Sequence, residues 1–195
     1  MHSPAQLLVK NINQSIAAKK TFLEKLDQLS IFEKAADLIA NRYLSGGRLY
    51  IAGNGGSAAD AQHLAAEFVS KLARDRDPLP AEALTVDSSI ITAIGNDYGF
   101  EKIFSRQLAG KATSKDVFLG ITTSGKSQNI LLALKECQLR NIPTIVFSGR
   151  GGGDARAVAD FSIEVDGDAT STIQELHIIL AHTLCEYVEN VIYKK

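Results

Sequence analysis

Charge of one sign is missing from this 195-residue chain: 21 Lys and Arg face 22 Asp and Glu, a net of −1. That balance excludes a global field drawing in nucleic acid or an anionic membrane, so a small anionic ligand must be held by local donors. Long hydrophobic runs are missing too, and no stretch approaches the roughly 20 apolar residues of a membrane span. Met1 to Gln14 holds no apolar run of signal-peptide length, so the expectation is a soluble, cytoplasmic protein. Cysteine is scarce: Cys137 and Cys185 share no metal or redox spacing and are expected as buried, reduced thiols. With no Pro/Ser-rich linker, repeat or low-complexity tract, residues 1–195 are expected to form one domain.

What is present is an alternation of short apolar runs and helix-period segments. Arg48–Ala52, Asp116–Ile121, Pro143–Phe147 and Phe161–Val165 read as strands, with a further short one near Ala83–Val86. Helical patterns follow over Ser57–Lys71, Ser127–Arg140 and Thr172–Tyr193, the last with a Thr172-x-x-Glu175 capping-box pattern. Near-continuous apolar strands separated by helices predict a doubly wound, mainly parallel α/β sheet covered on both faces. Two helices precede it. Leu8, Ile12, Ile16, Phe22, Leu26 and Leu29 recur at nearly helical spacing across the first 29 residues, and Ile31 to Tyr43 marks a second helix. Their apolar stripes must be buried somewhere, and together with the long C-terminal helix they point to packing between subunits.

Two strand-to-helix turns have unusual chemistry. In Gly53-Asn54-Gly55-Gly56-Ser57, three glycines let the backbone approach a ligand closely. Thr122-Thr123-Ser124-Gly125-Lys126-Ser127 offers four hydroxyls beside the unpaired amides of a helix N-terminus, a combination suited to phosphate. One hydroxyl would be explained as a cap; four in six residues exceed what a cap needs. A solvated role suits Lys126 as well as a ligand role does. Neither loop is a GxGxxG or Walker sequence, so no nucleotide cofactor is expected. On the helix after the first loop, His63 and Glu67 are four apart and share a face. On the last helix Gln174 and His182 lie about 80° apart, while His177 lies about 60° to the other side of Gln174 and suits ordinary packing. Gly95-Asn96-Asp97 reads by itself as a turn.

Longer runs carry a resemblance. Gly53–Glu67 (GNGGSAADAQHLAAE), Thr92–Gly99 (TAIGNDYG), Thr122–Ser127 and Ile173–His182 (IQELHIILAH) resemble the phosphoheptose isomerases of the sugar isomerase (SIS) domain superfamily. The likeness spans essentially the whole chain. It implies an aldose–ketose isomerase that converts sedoheptulose 7-phosphate to D-glycero-D-manno-heptose 7-phosphate through an enediol, for nucleotide-heptose precursors of bacterial surface glycans. It also implies Glu67 as the carbon base and His182 as its acid/base partner. Substrate contacts would come from Asn54, Gly55, Gly56, Ser57, Glu67, Asn96, Asp97, Thr122, Thr123, Ser124, Ser127 and Gln174. In some relatives zinc is held at the positions of His63, Glu67, Gln174 and His182, so one zinc per subunit is implied, in a homotetramer without nucleic-acid or membrane partners. Lys71 stands where many relatives carry arginine, and Ser171 where some carry aspartate. A non-catalytic homologue that associates with the bacterial replication initiator has the same fold and loops but lacks the acid/base pair. This chain keeps both Glu67 and His182.

Overall fold

A computed structural model describes residues 3–193; residues 1, 2, 194 and 195, the ends of the domain expected from the sequence, lie outside the described residues. The elements run α1 (Pro4–Leu23), α2 (Leu26–Leu44), β1 (Leu49–Gly53), α3 (Gly56–Val69), β2 (Ala81–Ala83), α4 (Ser88–Tyr98), α5 (Ser105–Lys111), β3 (Val117–Thr122), α6 (Gln128–Leu139), β4 (Thr144–Ser148), β5 (Phe161–Glu164) and α7 (Thr170–Ile192). The strands form one sheet in the order β2-β1-β3-β4-β5, and every pairing is parallel. Each strand interior therefore needs cover on both faces, and alternating side chains supply it. Leu49, Ile51, Leu119 and Ile121 point to the layer of α2, α3 and α7, where Phe68 and Leu184 meet them. Tyr50, Ala52 and Phe118 point the other way, towards Leu108 of α5 and Leu134 of α6. Truncating a side chain such as the fully buried Phe68 to alanine would cost about 3–5 kcal/mol.

Five local readings of the sequence are corrected. The apolar stripe of the first 29 residues is split: α1 stops at Leu23, Lys25 leaves helical geometry (φ −88°, ψ 78°), and Leu26 and Leu29 belong to α2. The spacing hid the break because it runs on across the corner, although of that stripe only Phe22 is buried and Leu8, Ile12, Ile16 and Leu26 stay exposed. The Lys25 ammonium, 2.8 Å from the Asp166 carboxylate, ties the corner down. The short second strand lies at Ala81–Ala83 rather than near residues 83–86. Asn96 and Asp97 are not in a turn: Asp87 caps α4 by accepting from the Ile90 amide at 2.9 Å, and the helix runs on through Gly95 to Tyr98. The α5 helix has no counterpart in the sequence reading. Finally, α7 begins at Thr170 without a side-chain cap, and Glu175 turns outwards to Ser15 and Lys19 of α1, so the capping box does not form.

Candidate active site

The strand order reverses between β1 and β3, and a crevice opens where the chain leaves the carboxyl ends of those two strands. Both unusual turns land there. They line a cavity of about 320 Å³ through Asn54–Ser57 on one side and Thr122, Thr123 and Ser127 on the other, closed by Thr170 and Gln174 of α7. That volume suits a small ligand. Gly55 takes φ +56°, a conformation disfavoured for residues with a Cβ. The Gln174 amide lies against Gly56 so closely that a Cβ there would meet its nitrogen at 2.3 Å.

The hydroxyl loop is held from several directions. The Thr122 and Ser127 hydroxyls are 3.0 Å apart, across the start of α6. Gly125 has φ +65° and sits under the Gly152 carbonyl, and the Ala155 amide donates to the Gly125 carbonyl at 2.9 Å. Ser124 is exposed and accepts from the Lys126 amide at 3.2 Å, so it braces the loop and is not among the residues lining the cavity. Lys126 points to solvent. Ser127 takes the N-cap position of α6 without a side-chain bond to the helix amides, which leaves those amides for a ligand.

Further along the same two helices lies a second constellation. His63 Nε2 is 3.0 Å from Glu67 Oε1 on α3 and 3.2 Å from His182 Nε2 on α7. One ligand atom from each of the three lies within 4.8 Å of the others. A neutral imidazole has one N–H, so two facing Nε2 atoms and a carboxylate oxygen supply more lone pairs than protons to satisfy them. A divalent cation would use those lone pairs, and two imidazoles with a carboxylate are an ordinary zinc donor set. Gln174 stands two turns before His182 on α7, at the cavity end of the same helix.

Sequence reasoning missed several residues here. Asn129, buried on α6, exchanges two amide hydrogen bonds with Asn54 (2.8 and 2.9 Å), and only its proximity in the fold reveals it. Thr170 lines the cavity from the first turn of α7. Asp60 on α3 has a buried carboxylate oxygen without a hydrogen-bond partner among the described residues, and burial raises its pKa. Asn96 and Asp97, by contrast, are exposed on α4 and are not among the cavity's lining residues. Lys71 is exposed and pairs with Asp75, and Ser171 is exposed in the first turn of α7. Both thiols are buried and pushed up to about 12 by burial, which keeps them protonated. No helix among the described residues is long and apolar enough to cross a membrane.

The fold and this pair of loops define a class: residues 12–149 match the SIS domain family. A phosphoheptose isomerase from Burkholderia pseudomallei is 49% identical over 167 residues, covering 86% of this chain and 85% of that one. One from Aneurinibacillus thermoaerophilus is 45% identical over 184 residues, covering 94% and 93%. The solved phosphoheptose isomerase of Neisseria gonorrhoeae superposes with a TM-score of 0.90 at 37% identity, covering 96% of this chain and all of that one. The chain belongs to the phosphoheptose isomerase family.

Proposed function

We propose that the chain isomerises sedoheptulose 7-phosphate to D-glycero-D-manno-heptose 7-phosphate, feeding heptose into nucleotide-sugar precursors of surface glycans in the cytoplasm. One observation carries this reading: α3 and α7, which bring the acid/base cluster together, also line the cavity that the phosphate-type hydroxyl loop before α6 closes from the other side. Gln174 and His182 are eight residues apart, on the order of 12 Å along α7. A long sugar with its carbonyl at one end and its phosphate at the other can bridge that separation. Thr122, Thr123 and Ser127, with the first amides of α6, hold the phosphate, and Ser124 braces their loop from outside the cavity. Asn54, Gly55, Gly56, Ser57 and Gln174 take the sugar hydroxyls.

Glu67 moves the proton between C1 and C2, and His182 moves protons on the adjacent oxygens, which passes the sugar through an enediol. Zinc would be held by His63, Glu67 and His182, whose donor atoms already converge, while Gln174 stays at the cavity end of α7. When bound it supplies Lewis acidity towards the sugar carbonyl. Glu67 has two oxygens and only Oε1 faces His63, which leaves Oε2 for the substrate proton.

The working form is a homotetramer. Leu8, Ile12 and Ile16 stay exposed along α1. Helix α4 buries none of its residues although it carries Asn96 and Asp97. A second copy covering both would bring those two polar residues to the mouth of a neighbouring cavity.

Turnover of sedoheptulose 7-phosphate, measured with and without a chelator, tests the reading. Metal-replete protein should form the aldose, and Glu67→Gln should lose turnover while still binding inorganic phosphate. Folded, metal-replete protein without turnover would leave a non-catalytic phosphosugar binder instead. Full activity in Glu67→Gln would remove the base assignment.

A further inference from the structure

We propose that Arg76, anchored by Glu189, is a positioning residue that sets the geometry of the His63–Glu67–His182 cluster; the inference rests on reading that cluster as the reaction centre. Glu67 lies in the last turn of α3, where the final carbonyls have no helical partner. The last turn contains no basic residue, and Ser70 leaves helical geometry at ψ −96°. Arg76 reaches back from the following loop instead. Its Nη2 donates to the Glu67 carbonyl at 2.9 Å and its Nη1 to the Phe68 carbonyl at 2.7 Å. The backbone turn that aims the Glu67 side chain is thus terminated by one guanidinium.

The same guanidinium is bound to the other helix of the site. Nε donates to Glu189 Oε1 at 3.0 Å and Nη2 lies 2.8 Å from the same atom; the two side chains are 2% and 1% exposed. Glu189 also accepts the Leu72 and Ala73 amides at 3.1 and 3.4 Å, so its charge is fully matched. Glu189 follows His182 by seven residues, two turns further along nearly the same face of α7. The α3–α7 pair is therefore pinned at two levels, by the His63–His182 contact and by Arg76–Glu189. A buried ion pair contributes little net stability compared with apolar side chains of like volume, so its specific contribution is geometric. The planar fork is what lets one side chain serve the Glu67, Phe68, Ser70 and Asp77 carbonyls and a carboxylate together, and lysine cannot reproduce it.

Arg76→Lys keeps the charge and removes the fork. It is compared with the unaltered protein for thermal unfolding, kcat and KM on sedoheptulose 7-phosphate, zinc affinity by competition with a chromophoric chelator, and affinity for inorganic phosphate. The expected result is a folded variant in which kcat and zinc affinity each fall about 10-fold or more. KM and phosphate affinity should stay within about twofold, because the hydroxyl loop is held from α6 and the Gly152–Ala155 segment instead. Unchanged zinc affinity and kcat would overturn the proposal, as would an equal loss of phosphate affinity, which marks a general structural role. If Arg76→Lys does not fold, Glu189→Gln is read in the same way, and failure of both to fold also overturns it. Absence of turnover in the unaltered protein would defeat the isomerase reading alone, since the zinc comparison still decides this one.

Discussion

Asn54 and Asn129 hold each other by two reciprocal amide hydrogen bonds, 2.9 and 2.8 Å, between the glycine loop after β1 and the first turn of α6. The pair makes the two ligand loops one rigid rim. Replacing Asn129 by leucine leaves the Asn54 amide half-buried without a partner, at a cost of about 1–3 kcal/mol. Chemical denaturation should register that loss, and KM should rise while kcat changes less.

Gly125→Ala should damage phosphate binding more than stability. The residue has φ +65°, and a Cβ would meet the Gly152 carbonyl at 2.0 Å, so the loop must shift. Strain of this kind costs about 1–3 kcal/mol. Inorganic phosphate titrated against the variant should bind at least tenfold more weakly, and wild-type affinity would show that the loop carries no phosphate.

His177 gives the fold an acid-sensitive point. It is fully buried on α7, and among the described residues neither ring nitrogen makes a hydrogen bond of normal geometry. Burial pulls its pKa from 6.5 down to about 4, offset only in part by the nearby Ser148 main chain. Below pH 6.5 the unfolded chain takes up a proton that the folded chain refuses. Stability therefore falls as pH drops from about 6.5 to 4, by roughly 3 kcal/mol at most from this group. Urea unfolding at pH 7 and pH 5 should show the drop, and His177→Leu should flatten it.

Glutamate at both Leu8 and Ile12 should disrupt assembly. Both are exposed on α1, so the change costs a lone subunit little. Sedimentation should report a smaller particle than the unaltered protein, and an unchanged particle would place the interface elsewhere.

The parallel sheet was legible because its strands are buried on both faces, so runs such as Val117–Thr122 stand out without any alternation. The two ligand turns were legible for a related reason: glycines and hydroxyls at the end of an apolar strand have no packing role. Helix α4 was not: Ile91 and Ile94 pack on the core, but its Gly95-Asn96-Asp97 segment mimics a turn and masks the helix. The α1–α2 corner stayed hidden because apolar spacing continues smoothly across it. Of the cluster, the His63–Glu67 pair follows from i, i+4 spacing, but its meeting with His182 is a long-range contact that periodicity cannot express. Asn129, Arg76 and Glu189 act through tertiary partners and look like ordinary helix and loop residues in the sequence.

The separation of His63 and His182 by 119 positions has a consequence for a chain still being made. A nascent polypeptide that has emerged as far as Glu164 already contains all five strands and both ligand loops. It has two of the three cluster residues, His63 and Glu67, and lacks His182. Because domains fold as units, the sheet and hydroxyl loop wait for α7, whose Leu176, Leu180 and Leu184 complete the core on one face. Docking of Thr170–Ile192 is thus the event that completes the three-residue cluster.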